Sequence, residues 1–413
     1  MQTFGPFVEL FSIHGIDMLG NLDSGAVVGL TSEAADACRR VLEGQADADS
    51  IARVDEKLFE FLVRNDFFEQ EPKHSHPKSA YVHVTQRCNL NCVGCYSMSD
   101  LRNCAPDPSL DNLRRVFRQL SLNGVQNINI SGGEPFLRGD LCEIARIAHD
   151  ECEIPVVNIV TNGTVVDGCN LDDLSKWVSR VVVSIDGASP DAPAYVRREQ
   201  RFETLVEAVR HLQAANVRVR ILPTLHAKSI DDVPVYVELA RNLGVEINFS
   251  LLSCPPEIGE MRTLIPTESD LKRLVELQDT GIAPSQQGEP FGVGLTAKRA
   301  CGAGCKNLSV DVDGGLYPCH MLQSHEFLLG NVFQEDLDAI LERTMDAVMQ
   351  WLPPVERIEG CRNCEFSLVC GGGCRARAIN SGAGPAGADP YCSLSKGFYR
   401  KMFSALSAGI SRN

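Results

Sequence analysis

The sequence predicts an α/β protein in three parts: a small α+β module over residues 1–75, a βα repeat over 80–252 and a cysteine-rich region over 253–413. Three observations predict it. Apolar, strand-like runs alternate with amphipathic helical stretches through the middle of the chain. Short strands and two helical patterns precede them, across the polar, proline-bearing linker EPKHSHPKS (71–79). Beyond residue 253 Pro, Gly and Cys become frequent, and eight cysteines fall between 301 and 392.

In the first part, FVELFSIHGIDMLGNLDSGAVVGLT offers short strands around the turn residues Asp23, Ser24 and Gly25. Ser32 is expected to cap a helix running to about Gly44, and a second helix is expected from Val54 to Phe67. Fourteen acidic and six basic residues through Lys73 give this module a net charge of −8.

The second part holds six runs with strand character: YVHVTQ, QNINIS, VVNIVT, RVVVSI, VRVRILPTL and EINFSL. Helical stretches such as LDNLRRVFRQLSLNG and ETLVEAVRHLQAAN separate them. Six βα units in a row imply a parallel sheet with right-handed crossovers, as an open barrel or a doubly wound sheet. Chemistry in such sheets gathers at the carboxyl ends of the strands. The third part carries a hairpin at LSVDVDGGLYPC, with Asp-Gly-Gly at its turn. It is otherwise expected to be poor in long regular elements and organised by metal.

Bulk composition narrows the function classes. A formal charge of −15 argues against nucleic acid as a general partner, because phosphate binding wants a basic surface. No apolar run approaches the length needed to span a bilayer, and MQTFGPFVELF lacks a basic segment leading into an apolar one, so no signal peptide is expected. The expected setting is the cytoplasm. Seventeen cysteines there point to metal or redox chemistry, since the cytosol keeps thiols reduced.

VTQRCNLNCVGCYS follows the first strand of the repeat, so Cys88, Cys92 and Cys95 sit at a strand's carboxyl end in C-x3-C-x2-C spacing. Three thiolates this close can hold one face of an iron–sulfur cube and leave one iron open. A three-cysteine zinc knuckle is the alternative, although His83 is better placed as a sheet-face residue. In ISGGEPFL, Gly132 and Gly133 allow close backbone approach to a ligand, and Glu134 can accept from an ammonium.

With the aromatic Tyr96 beside the last cysteine and SGGEP after the second strand, the chain resembles the radical S-adenosylmethionine (SAM) superfamily. The resemblance implies a partial (β/α)6 barrel and a [4Fe–4S] cluster on Cys88, Cys92 and Cys95, its open iron chelated by SAM. It further implies reductive cleavage of SAM to a 5′-deoxyadenosyl radical that takes hydrogen from a substrate. By the same resemblance SAM is contacted by Gly132, Gly133 and Glu134, with TNGT (161–164, including Asn162) lining the pocket. Ser184 and Asp186 in SIDG lie on the ribose and carboxylate side, and Leu222 in LPTLH borders SAM or substrate. Arg197 is suited to the SAM carboxylate, with Arg198 as the alternative. His226 is either a proton-transfer group or a buried structural histidine.

CRNCEFSLVCGGGC supplies Cys361, Cys364, Cys370 and Cys374, and in isolation it also reads as a zinc site. Cys305 and Cys319 stand upstream in C-x13-C spacing with Gly314 five positions before Cys319; Cys301 precedes them and Cys392 follows. Together these resemble the SPASM domain of a subset of radical SAM enzymes. That resemblance implies two auxiliary [4Fe–4S] clusters, three clusters in all, in a crossed pattern. Cys301, Cys305, Cys319 and Cys374 would hold one cluster, and Cys361, Cys364, Cys370 and Cys392 the other. Without Cys301 the first would keep an open iron for a substrate thiolate. Cys38, Cys104, Cys142, Cys152, Cys169 and Cys254 are read as reduced or buried thiols, with Cys254 able to face the pocket.

The N-terminal plan resembles the RiPP recognition element, a winged-helix-like module that binds the leader of a ribosomally made precursor peptide by strand addition. The expected function is therefore a radical SAM peptide maturase that installs a crosslink, foremost a thioether. Carbon–carbon or carbon–oxygen crosslinking and sulfatase-maturing-type oxidation of Cys or Ser to formylglycine are the alternatives. A flavodoxin or ferredoxin is the expected electron donor. A non-catalytic metal-stabilised scaffold is disfavoured, because a scaffold has no need of an open iron.

Overall fold

A computed structural model describes residues 2–71, 76–100, 102–253, 259–277 and 294–410; Cys254 lies outside the described residues. The N-terminal module is a three-stranded antiparallel meander, β1 (Val8–Ile13), β2 (Ile16–Asn21) and β3 (Val27–Leu30), followed by helices. Its first hairpin turns on His14 and Gly15, both left-handed (φ 51° and 75°), the backbone that a two-residue hairpin requires. Thr31, one residue before the expected Ser32, caps the helix Ser32–Leu42 by accepting from Ala34 N at 3.2 Å. The helix expected over 54–67 is Glu56–Arg64, and a further short helix, Asp49–Val54, precedes it. Asp55 breaks the run because its extended backbone lets its carboxylate cap the second helix at Leu58 N.

Side chains alternate across a strand, so this small sheet has two apolar faces. Val8 and Leu19 pack with Ile51, Leu62 and Phe67 of the module itself. Ile13 and Met18 pack instead against Phe366, Val369, Tyr399 and Phe403 of the cysteine-rich region. Lys306 Nζ donating to Asp23 O (2.7 Å) and Ala297 N donating to Gly25 O (2.8 Å) reinforce that docking.

The central repeat contributes β4 (Ser79–Thr85), β5 (Asn127–Gly132), β6 (Val156–Thr161), β7 (Arg180–Ile185) and β8 (Val219–Leu225), each paired in parallel with the next. The expected sixth strand is split into β9 (Glu246–Ile247) and β10 (Ser250–Leu251), both parallel to β8. Ala80, Val82, Val84, Ile128, Ile130, Val157, Ile159, Val181, Val183, Val219 and Ile221 point to one face, where they pack with helix residues such as Leu113, Phe117, Leu205 and Val209. The alternate positions mix polar residues (His83, Asn129, Ser131, Asn158, Ser184 and Thr224) with Tyr81, Val160, Val182 and Leu222. A packed barrel interior is built from branched apolar residues, so this partly polar face is suited to a ligand rather than to a second core.

The cysteine-rich region does not stand apart as a separate unit. Its strand β11 (Asn307–Val310) adds in parallel to β4, and β12 (Gly315–Tyr317) and β13 (Gly330–Asn331) continue antiparallel, giving one ten-stranded sheet. The expected β11–β12 hairpin turns at Gly314 (φ +85°), where a Cβ would meet the Phe333 ring at 2.5 Å. Contrary to expectation the region also has long helices, Leu337–Trp351 and Cys392–Ile410, because their apolar residues find partners on the central core and the N-terminal sheet. No helix among the described residues is long and apolar enough to cross a membrane.

Candidate active site

Five loops at the carboxyl ends of β4 to β8 carry the sequence-predicted site residues to one end of the sheet. The first is the Cys88–Cys95 loop, held at its start by Thr85 Oγ1 donating to Asp107 (2.5 Å) and by Cys88 N donating to Asn103 Oδ1 (2.7 Å). Gly133 N donates to Thr85 O and Glu134 N to Arg87 O, each at 2.7 Å, so the SGGEP turn lies directly on the loop's backbone. A Cβ on Gly132 would stand 2.2 Å from Thr85 O, and one on Gly133 2.0 Å from Arg87 O. The two glycines thus serve contact between two stretches of this chain, where the sequence suggested contact with a ligand.

Glu134 is fully buried and joins the second loop to the third. It accepts from Phe136 N (3.1 Å), Thr161 Oγ1 (2.8 Å) and Asn162 N (2.7 Å). Burial raises its pKa to about 7, against the lowering effect of these hydrogen bonds. Asn162 in turn donates to Asn89 Oδ1 at 2.9 Å, and its amide is 3.9 Å from Cys88 Sγ. Tyr96 bonds Ser131 through its hydroxyl at 2.7 Å.

On the fourth loop Asp186 accepts from Val196 N (2.5 Å) and Arg197 N (2.7 Å), which folds the segment back over the strand ends. Burial opposes its ionisation, but the nearby His226 ring, the Val196 and Arg197 backbone N–H groups and the Arg197 charge hold its pKa below the usual carboxylate range. His226 is buried, its Nε2 3.7 Å from Asp186 Oδ1. Arg197 donates to Thr224 Oγ1 at 3.2 Å, and Ser184 pairs in register with Leu222.

Sequence reasoning missed Gln200, which is buried and donates to Asn162 O (2.7 Å) and Ser184 O (2.8 Å) while accepting from Asp186 N (2.9 Å). It also missed Asp311, which bonds His83 Nδ1 (3.1 Å) and Gln86 Nε2 (2.9 Å) from beyond β11, and His320, whose ring stacks on Tyr81 (4.2 Å) and meets Tyr96 edge-on (5.0 Å). No local spacing marks these residues; their partners are distant in the sequence.

The remaining candidates form separate thiol groups. Burial raises the Cys92 pKa to about 11, with Cys95 and Cys88 adding to the rise and Arg197 opposing it. Burial raises Cys319 to about 12, reinforced by Cys301 and Cys374, and Cys305 is raised by burial and by Cys301. Cys361 is raised to about 11 by burial and then by Cys392, Cys370 and Cys364. Cys361, Cys364, Cys370 and Cys392 line one common pocket.

Three consecutive left-handed glycines, Gly371 (φ 68°), Gly372 (85°) and Gly373 (73°), separate Cys370 from Cys374. Cys374 is then held by its N–H donating to Asp389 at 2.7 Å. Thiols gathered in one place suit a metal cluster, which takes them as thiolates. Among the described residues no three His, Cys, Asp or Glu side chains converge as they would around a single ion. The sixteen described cysteines are all free thiols.

Two stretches of the chain match known protein families. Residues 82–240 match the radical SAM superfamily, and residues 301–365 match SPASM, an iron–sulfur cluster-binding domain. The chain is 27% identical to the AdoMet-dependent heme synthase of Methanosarcina barkeri, over 76% of this chain and 96% of that protein. It is 24% identical to the PqqA peptide cyclase of Ruegeria pomeroyi, over 81% and 92%. With AlbA, an antilisterial bacteriocin subtilosin biosynthesis protein of Bacillus subtilis, it shares 26% over 74% and 68%. In structure it is similar to Streptococcus suis SuiB bound to its precursor peptide SuiA, with a TM-score of 0.61 at 17% identity over 94% of this chain and 99% of that one.

Proposed function

Because this chain belongs to the radical SAM superfamily and carries a SPASM iron–sulfur domain, we propose that it matures a ribosomally made precursor peptide by installing a thioether crosslink. Cys88, Cys92 and Cys95 would hold the SAM-binding cluster. Cys301, Cys305, Cys319 and Cys374 would hold one auxiliary cluster, and Cys361, Cys364, Cys370 and Cys392 the other. When bound, SAM and its cluster supply the 5′-deoxyadenosyl radical that removes hydrogen from the peptide. The reading is supported by the place of the Cys88–Cys95 loop beside Glu134 and Asn162 and by the common pocket that Cys361, Cys364, Cys370 and Cys392 line.

The chain's own residues position and shield that chemistry. Gly132 and Gly133 press the SGGEP turn onto the cysteine loop, and Glu134 ties it to Asn162. Asp186 folds Arg197 over the strand ends, where its guanidinium suits the SAM carboxylate. Ser184, Leu222 and Tyr96 would complete the pocket. The N-terminal meander would receive the leader along an open strand edge. Peptide substrates are supported by the PqqA cyclase, AlbA and SuiB likenesses. A flavodoxin or ferredoxin would supply electrons in the cytoplasm, where reduced thiols suit cluster assembly.

The likeness to a heme synthase favours a second reading, a non-peptide substrate. The test is anaerobic reconstitution with SAM and dithionite, which should release 5′-deoxyadenosine, and Cys92→Ala should abolish that release. Co-expression with any short reading frame beside the gene should then give a peptide lighter by the two hydrogen atoms of each thioether. Formylglycine formation from Cys would instead replace sulfur by oxygen as well as removing two hydrogens, formation from Ser would remove two hydrogens but leave every cysteine thiol open to alkylation, and an unmodified peptide would favour the second reading.

A further inference from the structure

A cavity of about 400 Å³ opens between the residues that flank the Cys88–Cys95 loop and those that flank β12. From the first side it is lined by Gln86, Tyr96 and Asp100, and from the second by Asp311, Gln323 and His325. It therefore sits on the seam where β11 joins β4, and reaches Tyr96, the neighbour of Cys95.

The polar groups on its wall are unequally satisfied. Gln86 is 1% exposed, and its Nε2 donates to Asp311 Oδ1 at 2.9 Å, yet its Oε1 finds no donor in the protein. Leaving a buried carbonyl oxygen without a partner is costly, and a ligand donor placed there recovers that cost. Asp311, itself buried, also bonds His83 and the Val312 N–H, and these bonds overcome the burial penalty and keep it ionised. Asp100 adds a second carboxylate to the lining, and among the described residues no lysine or arginine lines the cavity. The volume lies in the range of small-ligand pockets and accommodates one long side chain.

We infer that this cavity is a specificity pocket for a cationic side chain, an arginine or lysine of the substrate peptide, received by Gln86 Oε1 and Asp311. This rests on the peptide-maturase reading and adds to it. The anchored residue is not the one attacked. Seating it beside Tyr96 brings its neighbours in the peptide over the cysteine loop, so the pocket would select sequence and set register. A guanidinium or ammonium offers donors to both acceptors at once and replaces the missing partner of Gln86.

The test uses the intact, cluster-loaded protein and two probes, acetyl-Gly-Arg-Gly-amide and its citrulline analogue, which has the same shape without the charge. Saturation-transfer NMR should show transfer to the arginine side chain at least fivefold above that to citrulline. Gln86→Leu should reduce the arginine signal at least threefold. Asp100→Asn, at an exposed position whose change leaves the fold intact, should weaken it less. Equal transfer to both probes, no transfer to either, or a full arginine signal in folded Gln86→Leu would overturn the inference. Release of 5′-deoxyadenosine from SAM, measured on the same samples, separates the two readings. If it persists while the probes fail to discriminate, the pocket assignment is wrong; if it is absent, the maturase reading itself is wrong.

Discussion

His83 on β4 and Asp311 just past β11 meet at 3.1 Å across a separation of 228 residues, inside the seam that makes one sheet of two sequence regions. Both side chains are buried, and Gln86 joins them. The seam thus carries a charged hydrogen bond as well as backbone pairing. Asp311→Asn should cost about 2 kcal/mol, the value of a hydrogen bond to a charged group, as read by urea unfolding at pH 7. The Asp311 pKa is lowered in the fold, chiefly by His83 against the burial effect. Its stabilisation is therefore present above about pH 3.9, the unfolded value, and is lost as pH falls through the folded one. The variant should lose this acid-side slope; an unchanged slope would place the titration elsewhere.

The contact of the SGGEP turn with the cysteine loop leaves no room for a methyl group. Gly133→Ala should destabilise the protein by more than about 2 kcal/mol and lower iron incorporation, because the Arg87 carbonyl or the turn must move. Gly139→Ala, with open space at its Cβ, is the control and should do neither.

Glu134 titrates inside the fold near neutrality. Its pKa rises from 4.5 to about 7 through burial, so between those values the folded protein keeps a proton that the unfolded chain has released. Stability attributable to this group falls as pH rises across that window and is level above it. Glu134→Gln should be less stable overall, since an amide N–H2 then opposes one of the donors at Phe136, Thr161 or Asn162, but the slope should vanish. Denaturant midpoints at pH 5, 6 and 7 would decide it.

Crossing of the two thiol quartets is directly testable. Full reconstitution should give about twelve irons per chain if three four-iron clusters form. Cys374→Ser and Cys319→Ser should perturb the same EPR signal, and Cys361→Ser and Cys370→Ser a different one. If Cys374→Ser instead changes the signal that Cys370→Ser changes, the crossed arrangement is wrong.

Period and punctuation made much of this molecule legible. Apolar alternation located β4 to β8 because each strand buries one full face against helices. The cysteine spacing around Cys88 and the SGGEP turn marked the carboxyl ends of β4 and β5. Less legible were features whose cause lies far away in the chain. The break at Asp55 depends on a capping bond that competes with helix propagation. The long helices Leu337–Trp351 and Cys392–Ile410 form in a cysteine-dense region because distant apolar partners cover them.

By itself the sequence determined the α/β class and the identity of every thiol, since these follow from local periodicity and residue type. Tertiary structure alone decided that β11 extends the sheet from β4, that Gly132 and Gly133 pack against backbone, and that Gln86, Gln200, Asp311 and His320 join the site. The physical reason is common to all of them. A buried polar group must be satisfied by whatever the completed fold brings within 3 Å or so, and that neighbour is not written in the residues beside it.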